Sequence, residues 1–340
     1  MLADDAAGST IARFLHEQLW DASVRFESTR FLQGSTTWLR SIPGRNPTLS
    51  GGDVLLSAAP ENAFPDLAID FRPDVVVGSS IARPCWSAIR ATCAELGIPT
   101  VLYLREHVAL GHFDANITSH AAVLANSKTL VAGAAKLGVH AEFVPSVVDI
   151  ESAKTTSTRE RIVLVNPRKE HGVDIIDHLA ESFRTIEFVL QESWVLDESE
   201  RAHVEDILAR HPNVSFRERT EHPAEVFRDA AIVLAPHQMD NRPRTILEAL
   251  SNGIPVIAND LPGLVESVGP GGIIARSPGE WRAAVSALWQ DPTHYRTIER
   301  RARTYAARPE VQPGYVAEQF MSIVHNIIDH QPSHESAGQP

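Results

Sequence analysis

The chain has 340 residues, 43% of them hydrophobic and 22% charged, which suits a soluble globular protein long enough to bury two cores. No run of about 18 apolar residues exists to span a bilayer, and the first residues lack the basic flank and apolar core of a signal peptide, so a cytoplasmic location is expected. A formal net charge of -12 argues against a broad nucleic-acid surface and against general attraction to anionic lipid.

In chain order, Met1 to Gly8 run straight into an amphipathic helix pattern with Ile11, Phe14, Leu15 and Leu19, without the apolar strand that opens a βαβ domain. The first strand of a doubly wound sheet is central, so its loss would leave backbone groups unpaired. The expectation is a first strand that is cut off from this chain or hidden in a segment that does not read as one. Short β-rich apolar runs then follow at Val54–Leu56, Val75–Val77, Val101–Leu104 and Val123–Ala125. Cys85 and Cys93 lie eight apart in a helical stretch, roughly 12 Å between Cα atoms, which is too far for an unstrained disulfide. The segment Glu151–Glu160 is polar and free of apolar periodicity, as expected of a linker. Beyond it come further strand patterns at Ile162–Val165, Phe188–Leu190, Ile232–Ala235 and Val256–Ala258.

Strands alternating with helical patterns imply an α/β fold with parallel sheets covered on both faces. The division is expected to be a first domain over 1–152 and a second over 153–310. A terminal helix over 311–330, with Tyr315, Val316, Phe320, Ile323, Val324 and Ile327 at helical spacing, is expected to pack across both, and the polar tail 331–340 to be disordered. Two doubly wound domains facing a cleft would bind ligands at the carboxyl ends of their strands.

The segment richest in chemistry runs from Ala235 to Glu266. A strand ends at Pro236 and a loop follows. Pro243 suits the first turn of a helix, which Gly253 ends before another strand. Free backbone N–H groups around Arg244–Ile246 would then attract phosphate, with Arg242 or Arg244 adding charge-assisted bonds. Glu248, one turn further in, is placed to meet ribose hydroxyls. Taken alone, the same pattern also describes nothing more than a well-capped helix.

Asp240 and Glu248 are eight apart, and Glu248-Ala-Leu-Ser-Asn-Gly-Ile-Pro-Val-Ile-Ala-Asn-Asp-Leu-Pro-Gly-Leu-Val-Glu266 resembles the donor-site block of retaining GT-B glycosyltransferases of family 4. That family carries Glu-x7-Glu followed by Ala-x3-Gly-x-Pro-Val-Ile-Ala. The resemblance implies a GT-B fold of two Rossmann-like domains and transfer of a sugar from a nucleoside-diphosphate-sugar with retention of configuration. It puts Asp240 near the donor sugar, the Pro243–Thr245 loop on the diphosphate and Glu248 on the ribose. Two departures stand out: Asp240 replaces the first Glu, and Asn241-Arg242-Pro243-Arg244-Thr245 replaces a small, Gly-containing loop.

Ile162-Val-Leu-Val-Asn166-Pro-Arg168-Lys169-Glu-His171-Gly172 resembles the first strand and loop of the family's donor domain, with His171 where a Lys commonly precedes the Gly. Asn166, Arg168, Lys169, His171 and Gly172 are therefore donor-binding candidates, the two cations in place of the missing Lys. They are equally readable as solvated loop charges. In the first half, Gly8 resembles the acceptor-side glycine loop, and Arg72-Pro-Asp-Val-Val-Val77 the strand preceded by Pro-Asp. Asn126-Ser127 resembles the Asn-Ser pair at a helix start, where Ser127 suits an N-cap. His107 and Glu106, at a strand end, fall near the family's catalytic histidine.

No cysteine or histidine cluster has zinc spacing and no Asp-x-Asp occurs, so no metal and no cofactor beyond the nucleotide-sugar co-substrate is expected. The expected partners are that donor and a small-molecule or glycan acceptor, with no nucleic acid; the oligomeric state is not readable. The rival readings are a nucleotide-sugar 2-epimerase, for which the only candidate acids in the first half are Glu106 and Asp114, and a non-catalytic nucleotide-sugar binder. A dehydrogenase is disfavoured because no Gly-x-Gly-x-x-Gly follows a strand. Trp194 is a candidate to stack on the base or simply to pack.

Overall fold

A computed structural model describes residues 48–49, 52–53, 60–79, 84–113 and 117–330. The chain separates into two compact units: one holds the described residues up to Val147 and returns at Pro313, and the other is Val148–Gln312. The candidates Gly8 and Asp114, the strand expected at Val54–Leu56, the amphipathic pattern from Ile11 and the tail 331–340 lie outside the described residues.

In the first unit, β1 (Thr48–Leu49) pairs antiparallel with β2 (Gly52–Asp53). The helices α1 (Pro60–Phe71) and α2 (Pro84–Glu95) then alternate with β3 (Val76–Gly78) and β4 (Thr100–Leu104). After β5 (Ala122–Ala125) come α3 (Lys128–Lys136) and β6 (Glu142–Phe143). The strands β3 to β6 form one parallel sheet in sequence order. The period-two geometry of β4 sends Leu102 and Leu104 to one face and Val101 and Tyr103 to the other. Both faces are covered, which is why β4 reads as an unbroken apolar run. Cys85 and Cys93 both sit in α2 and are not bonded to each other, and burial pushes the Cys93 thiol up to about 11. The terminal helix α11 (Pro313–Asp329) was expected to pack across both domains; its Val316 and Ile323 join the core of the first unit beside Val101, Leu124 and Val144. Gln319 adds a bond from its amide to the Phe143 carbonyl at 2.7 Å.

The second unit opens with β7 (Arg161–Val165), α4 (Ile175–Ser182), β8 (Glu187–Gln191), α5 (Glu198–Arg210) and β9 (Val214–Arg217). Next come α6 (Pro223–Phe227), β10 (Ala230–Ala235), α7 (Arg244–Ser251), β11 (Val256–Asn259), α8 (Pro262–Val268) and β12 (Gly272–Ala275). The helices α9 (Pro278–Gln290) and α10 (Pro292–Ala306) complete it. Its six strands are all parallel in the order β12-β11-β10-β7-β8-β9. The chain therefore builds outward from β7 in one direction, then crosses back and builds outward from β10 in the other. Alternate residues of the central strands feed two cores: Ile162, Leu164, Ile232 and Leu234 meet α4, α5 and α9, while Val163, Val165, Val233 and Ala235 meet α7, α8 and α10. Each fully buried Val, Leu or Ile contributes about 1.5–3 kcal/mol, so this double-faced packing dominates the stability of the unit.

The polar stretch 151–160 expected to join the halves is strapped to the second unit. Asn252 receives the Thr155 N–H at 2.7 Å, Ser157 donates to the Ala230 carbonyl at 2.7 Å, and Arg159 pairs with Glu299 at 2.6 Å. The unit boundary accordingly falls at Val147/Val148, upstream of that stretch and of the expected 152/153. The buried carboxylate of Asp229, just before β10, is held between Arg161 at the start of β7 and Arg217 at the end of β9, tying the three strands together.

Candidate functional site

In an open α/β sheet the loops leaving two adjacent strands in opposite directions make a crevice at their carboxyl ends. In the second unit those strands are β7 and β10, and the loops are 166–174 and 236–243. The two loops are fastened to each other. Gln238 donates its N–H to the Glu170 carbonyl at 2.9 Å. Gly172 has φ 74, and a Cβ there would run into the Pro236 carbonyl, so only glycine fits both the backbone and the contact. Asn259, at the end of β11, donates its amide to the carbonyls of Pro236 and His237 and accepts from the Trp281 indole at 3.2 Å.

The rings of His171 and His237 stack across the junction, 4.5 Å between centroids and 22° between planes. They are 6% and 7% exposed. Burial holds both below the usual histidine range, His237 down to about 3 with its neighbour His171 adding to the effect. Burial thus favours the neutral form of both rings. His171 Nδ1 lies 3.1 Å from the Asn166 carbonyl. His237 Nδ1 and Asn241 Oδ1 are buried and complete no hydrogen bond with each other or with any described group, although the Asn241 side chain comes near enough to favour the charged ring slightly.

Beyond this junction α7 begins, with Pro243 at its N-cap position in extended conformation (φ -65, ψ 132). Proline fixes φ and offers no N–H, which suits a helix start, but it brings no capping oxygen. The N–H groups of Arg244 and Thr245 accordingly have no hydrogen-bond partner among the described residues, and the helix dipole points its positive end there. One turn in, Glu248 is half-buried. Its carboxylate accepts no hydrogen bond among the described residues, and burial raises its pKa to about 7, with Arg244 lowering and Asp149 raising it. A partly desolvated carboxylate without a donor, beside bare helix N–H groups, suits a ligand that brings both hydroxyl donors and an anion.

Asp240 is differently placed. Its Oδ1 accepts the N–H of Gly263 at 2.6 Å, in the first turn of α8. The loop comes so close that a Cβ on Gly263 would lie 2.6 Å from the Asn241 carbonyl oxygen and 2.7 Å from Asp240 Oδ1. At least one oxygen of the acid expected to meet the donor sugar thus joins the loop to α8. Arg242 is half-buried and lies close enough to Arg308 for the two cations to disfavour each other.

The loop after β7 is largely engaged with the segment after β8 and the start of α5. Asn166, at φ 58, uses Oδ1 to hold the N–H groups of Ser193 (3.1 Å) and Trp194 (2.7 Å). Arg168, expected to add phosphate charge, donates to the Val195 carbonyl at 3.0 Å, pairs with Glu200 at 3.3 Å and Glu170 at 3.6 Å, and lies over Trp194. Lys169 is exposed. Trp194 is 47% exposed, with one face against Arg168 and its ring edge-on to His171.

In the first unit, His107 starts a 3-10 turn after β4 and its Nε2 meets Thr129 Oγ1 at 3.1 Å. Thr129 Oγ1 in turn meets Ser127 Oγ at 3.0 Å, and Ser127 caps α3 through the Leu130 N–H, as its position before a helix suggested. Glu106 is exposed, at the N-cap position of that turn, and makes no capping bond.

Three participants were not singled out from the sequence. His237 and Asn259 lie inside the Ala235–Glu266 segment but have no residue-type signature of their own. Asp149 reaches Glu248's surroundings from a point 99 residues away in the chain. Among the described residues no group of three or more His, Cys, Asp or Glu could hold a metal ion, and no helix is long and apolar enough to cross a membrane.

Residues 173–291 match the family model described as Glycosyl transferases group 1, a span that takes in His237, Asp240, Arg244 and Glu248. No curated protein sequence matches the chain. Among solved structures, sucrose-phosphate synthase from Thermosynechococcus elongatus is similar with a TM-score of 0.74 at 13% identity, covering 96% of this chain and 94% of that one. HepE from Anabaena, solved in complex with UDP-glucose, is similar with a TM-score of 0.69 at 16% identity, covering 81% and 86%. A glycosyltransferase from Rickettsia africae gives a TM-score of 0.67 at 12% identity, covering 82% and 86%. At these identities the likeness is one of fold, mixed α/β with parallel sheets of the GT-B kind. The family match lies wholly within the second unit.

Proposed function

We propose that this glycosyltransferase takes a sugar from a nucleoside-diphosphate-sugar, passes it to a small-molecule or glycan acceptor with retention of configuration, and needs no metal. The observation that carries the reading is Glu248: a half-buried carboxylate, raised to about 7, without a hydrogen-bond donor and one turn inside a helix whose first N–H groups are bare. Ribose hydroxyls satisfy the carboxylate, and the diphosphate satisfies Arg244 N–H, Thr245 N–H and the positive end of α7.

The chief demand of the reaction is to stabilise the charge that grows on the diphosphate as the glycosidic bond breaks. Helix N–H groups do this from fixed positions, and the guanidinium groups of Arg242 and Arg244 add charge. Among the loop residues, Asn166 and Gly172 set the backbone, His171 and Lys169 are the candidates to serve the donor, and Arg168 braces the loop through the Val195 carbonyl and Glu200. His107 and Glu106 are carried only by the resemblance of the first unit, as is an acceptor-side role for Gly8. The similar HepE is solved with UDP-glucose, which makes UDP-glucose the first donor to try.

Asp240 favours one second reading. With an oxygen committed to Gly263, it is less available to a donor sugar, as in a protein that binds nucleotide sugars without turning them over. A thermal-shift screen of UDP-, GDP- and ADP-sugars tests the donor, since a bound ligand raises Tm by mass action. Mass spectrometry of the stabilising donor, incubated alone and with acceptor mixtures, tests turnover. A stabilising donor that is transferred or slowly hydrolysed supports the enzyme, and one left intact under every mixture supports the binder. Appearance of an epimer without acceptor would point instead to a 2-epimerase. Stabilisation by none of the three donor classes contradicts both the enzyme and the binder.

A further inference from the structure

At the carboxyl ends of β7 and β10, where the sheet reverses its build, two imidazole rings lie face to face. A carbonyl oxygen only accepts, so the 3.1 Å contact from His171 Nδ1 to the Asn166 carbonyl puts the neutral ring's proton on Nδ1 and leaves a lone pair on Nε2. A neutral ring in that tautomer opposes an incoming phosphate oxygen; one more proton, on Nε2, turns it into a charged donor. Resting on the donor-site reading above, we propose that nucleotide-sugar binding at this junction draws one proton from solvent onto Nε2 of His171, the ring stacked on His237.

The surroundings leave the balance open to an arriving anion. On the loop after β7, Glu170 favours a charged His171 and Arg168 disfavours it; from α5, Glu200 favours it; the edge of Trp194, after β8, adds no charge. From the loop after β10, Asn241 favours a charged His237. These influences oppose one another, so burial keeps the free pair neutral, and a diphosphate is the large new charge. The stack limits the uptake to one proton, because a charge on either ring at 4.5 Å disfavours a second. Affinity must then tighten as pH falls, by up to about tenfold per pH unit wherever the complex is protonated and the free protein is not.

Titration calorimetry at pH 7 in PIPES and in Tris, which differ in ionisation enthalpy, reads the proton directly. The probes are UDP-glucose, GDP-mannose and ADP-glucose, whose diphosphates are esterified at both ends and do not titrate near neutrality. For the probe that binds, the two buffers should give different enthalpies in the sense of uptake. Glu248 would act in the opposite sense by releasing a proton, so the decisive quantity is the difference between wild type and His171→Gln, which cannot take up a proton. His171→Lys should also lose the uptake and flatten the pH dependence while keeping affinity at pH 8. If either variant fails to fold, the imidazole Cε1–Hε1 signals of wild type, followed with and without the probe at pH 7, should move to protonated positions on binding. Binding with the same proton balance in wild type and His171→Gln, or with unmoved imidazole signals, overturns the inference and leaves the donor site standing. Binding of none of the three probes overturns both.

Discussion

The two loops that meet at the switch point of the second unit are built to opposite rules. The loop after β7 spends most of its polar groups on the segment after β8: Asn166 Oδ1 holds the N–H groups of Ser193 and Trp194, and Arg168 meets the Val195 carbonyl, Glu200 and its own neighbour Glu170, with only its Nε left unpartnered among the described residues. The loop after β10 and the helix it enters leave theirs unspent, with Arg244 N–H, Thr245 N–H, His237 Nδ1 and the Glu248 carboxylate all lacking a partner among the described residues. Buried polar groups without partners are costly, so a fold that keeps several side by side is holding them for something else. On the proposed reading the first loop is scaffold and the second the contact surface. Three variants press on that division.

The largest effect is expected at the scaffold. Gly172→Ala forces a Cβ into the Pro236 carbonyl at a positive φ, and should cost about 3 kcal/mol or more in denaturant unfolding, with both loops disturbed together. An effect below about 1 kcal/mol would mean the two loops are not locked to each other at that point.

Next in size is the pH dependence belonging to Glu248. Its pKa is raised from 4.5 to about 7 in the folded protein, so between those values the folded state binds more protons than the unfolded one. Its share of stability is therefore greatest in acid and declines as pH rises from about 4.5 to about 7. Solvent access on one side holds this to the order of 2 kcal/mol. Glu248→Gln should match wild type near pH 4.5 and exceed it by that amount at pH 7.5 in chemical denaturation. Equal stability at pH 7.5 would show the carboxylate to be satisfied in the free protein.

A smaller effect separates the two loops by function. Arg168→Ala should lower stability by about 1 kcal/mol through the lost ion pairs and stacking, while nucleotide-sugar affinity stays within about twofold. If affinity falls tenfold with little change in stability, the loop after β7 belongs to the contact surface after all.

The interior of the fold was legible because β4, β5, β7, β8, β10 and β11 are covered on both faces, and that leaves unbroken apolar runs in the sequence. In the two parallel sheets the strands that escaped, β6, β9 and β12, lie at sheet edges, are two to four residues long and are partly exposed, so polar residues and glycine interrupt them. The linker at 151–160 read as loose because nothing local reveals that Asn252 and Ala230 will hold it. At the site, the start of α7 was legible from Pro243, and Glu248 was marked out by the family resemblance. Arg168 was not, since a cation in a loop looks the same whether it faces a ligand or Glu200. The bond from Asp240 to Gly263 and the stack of His171 on His237 join residues 23 and 66 positions apart, and no periodicity connects them.

The claim on which the rest depends is that Glu248 is a ligand group. Calorimetric titration of wild type and Glu248→Ala with the donor that stabilises wild type tests it most directly. The account predicts a loss of about 1.5–3 kcal/mol in binding, roughly ten- to 150-fold in Kd, in a variant whose fold is intact. Unchanged affinity in that folded variant would contradict it and remove Glu248 from the site.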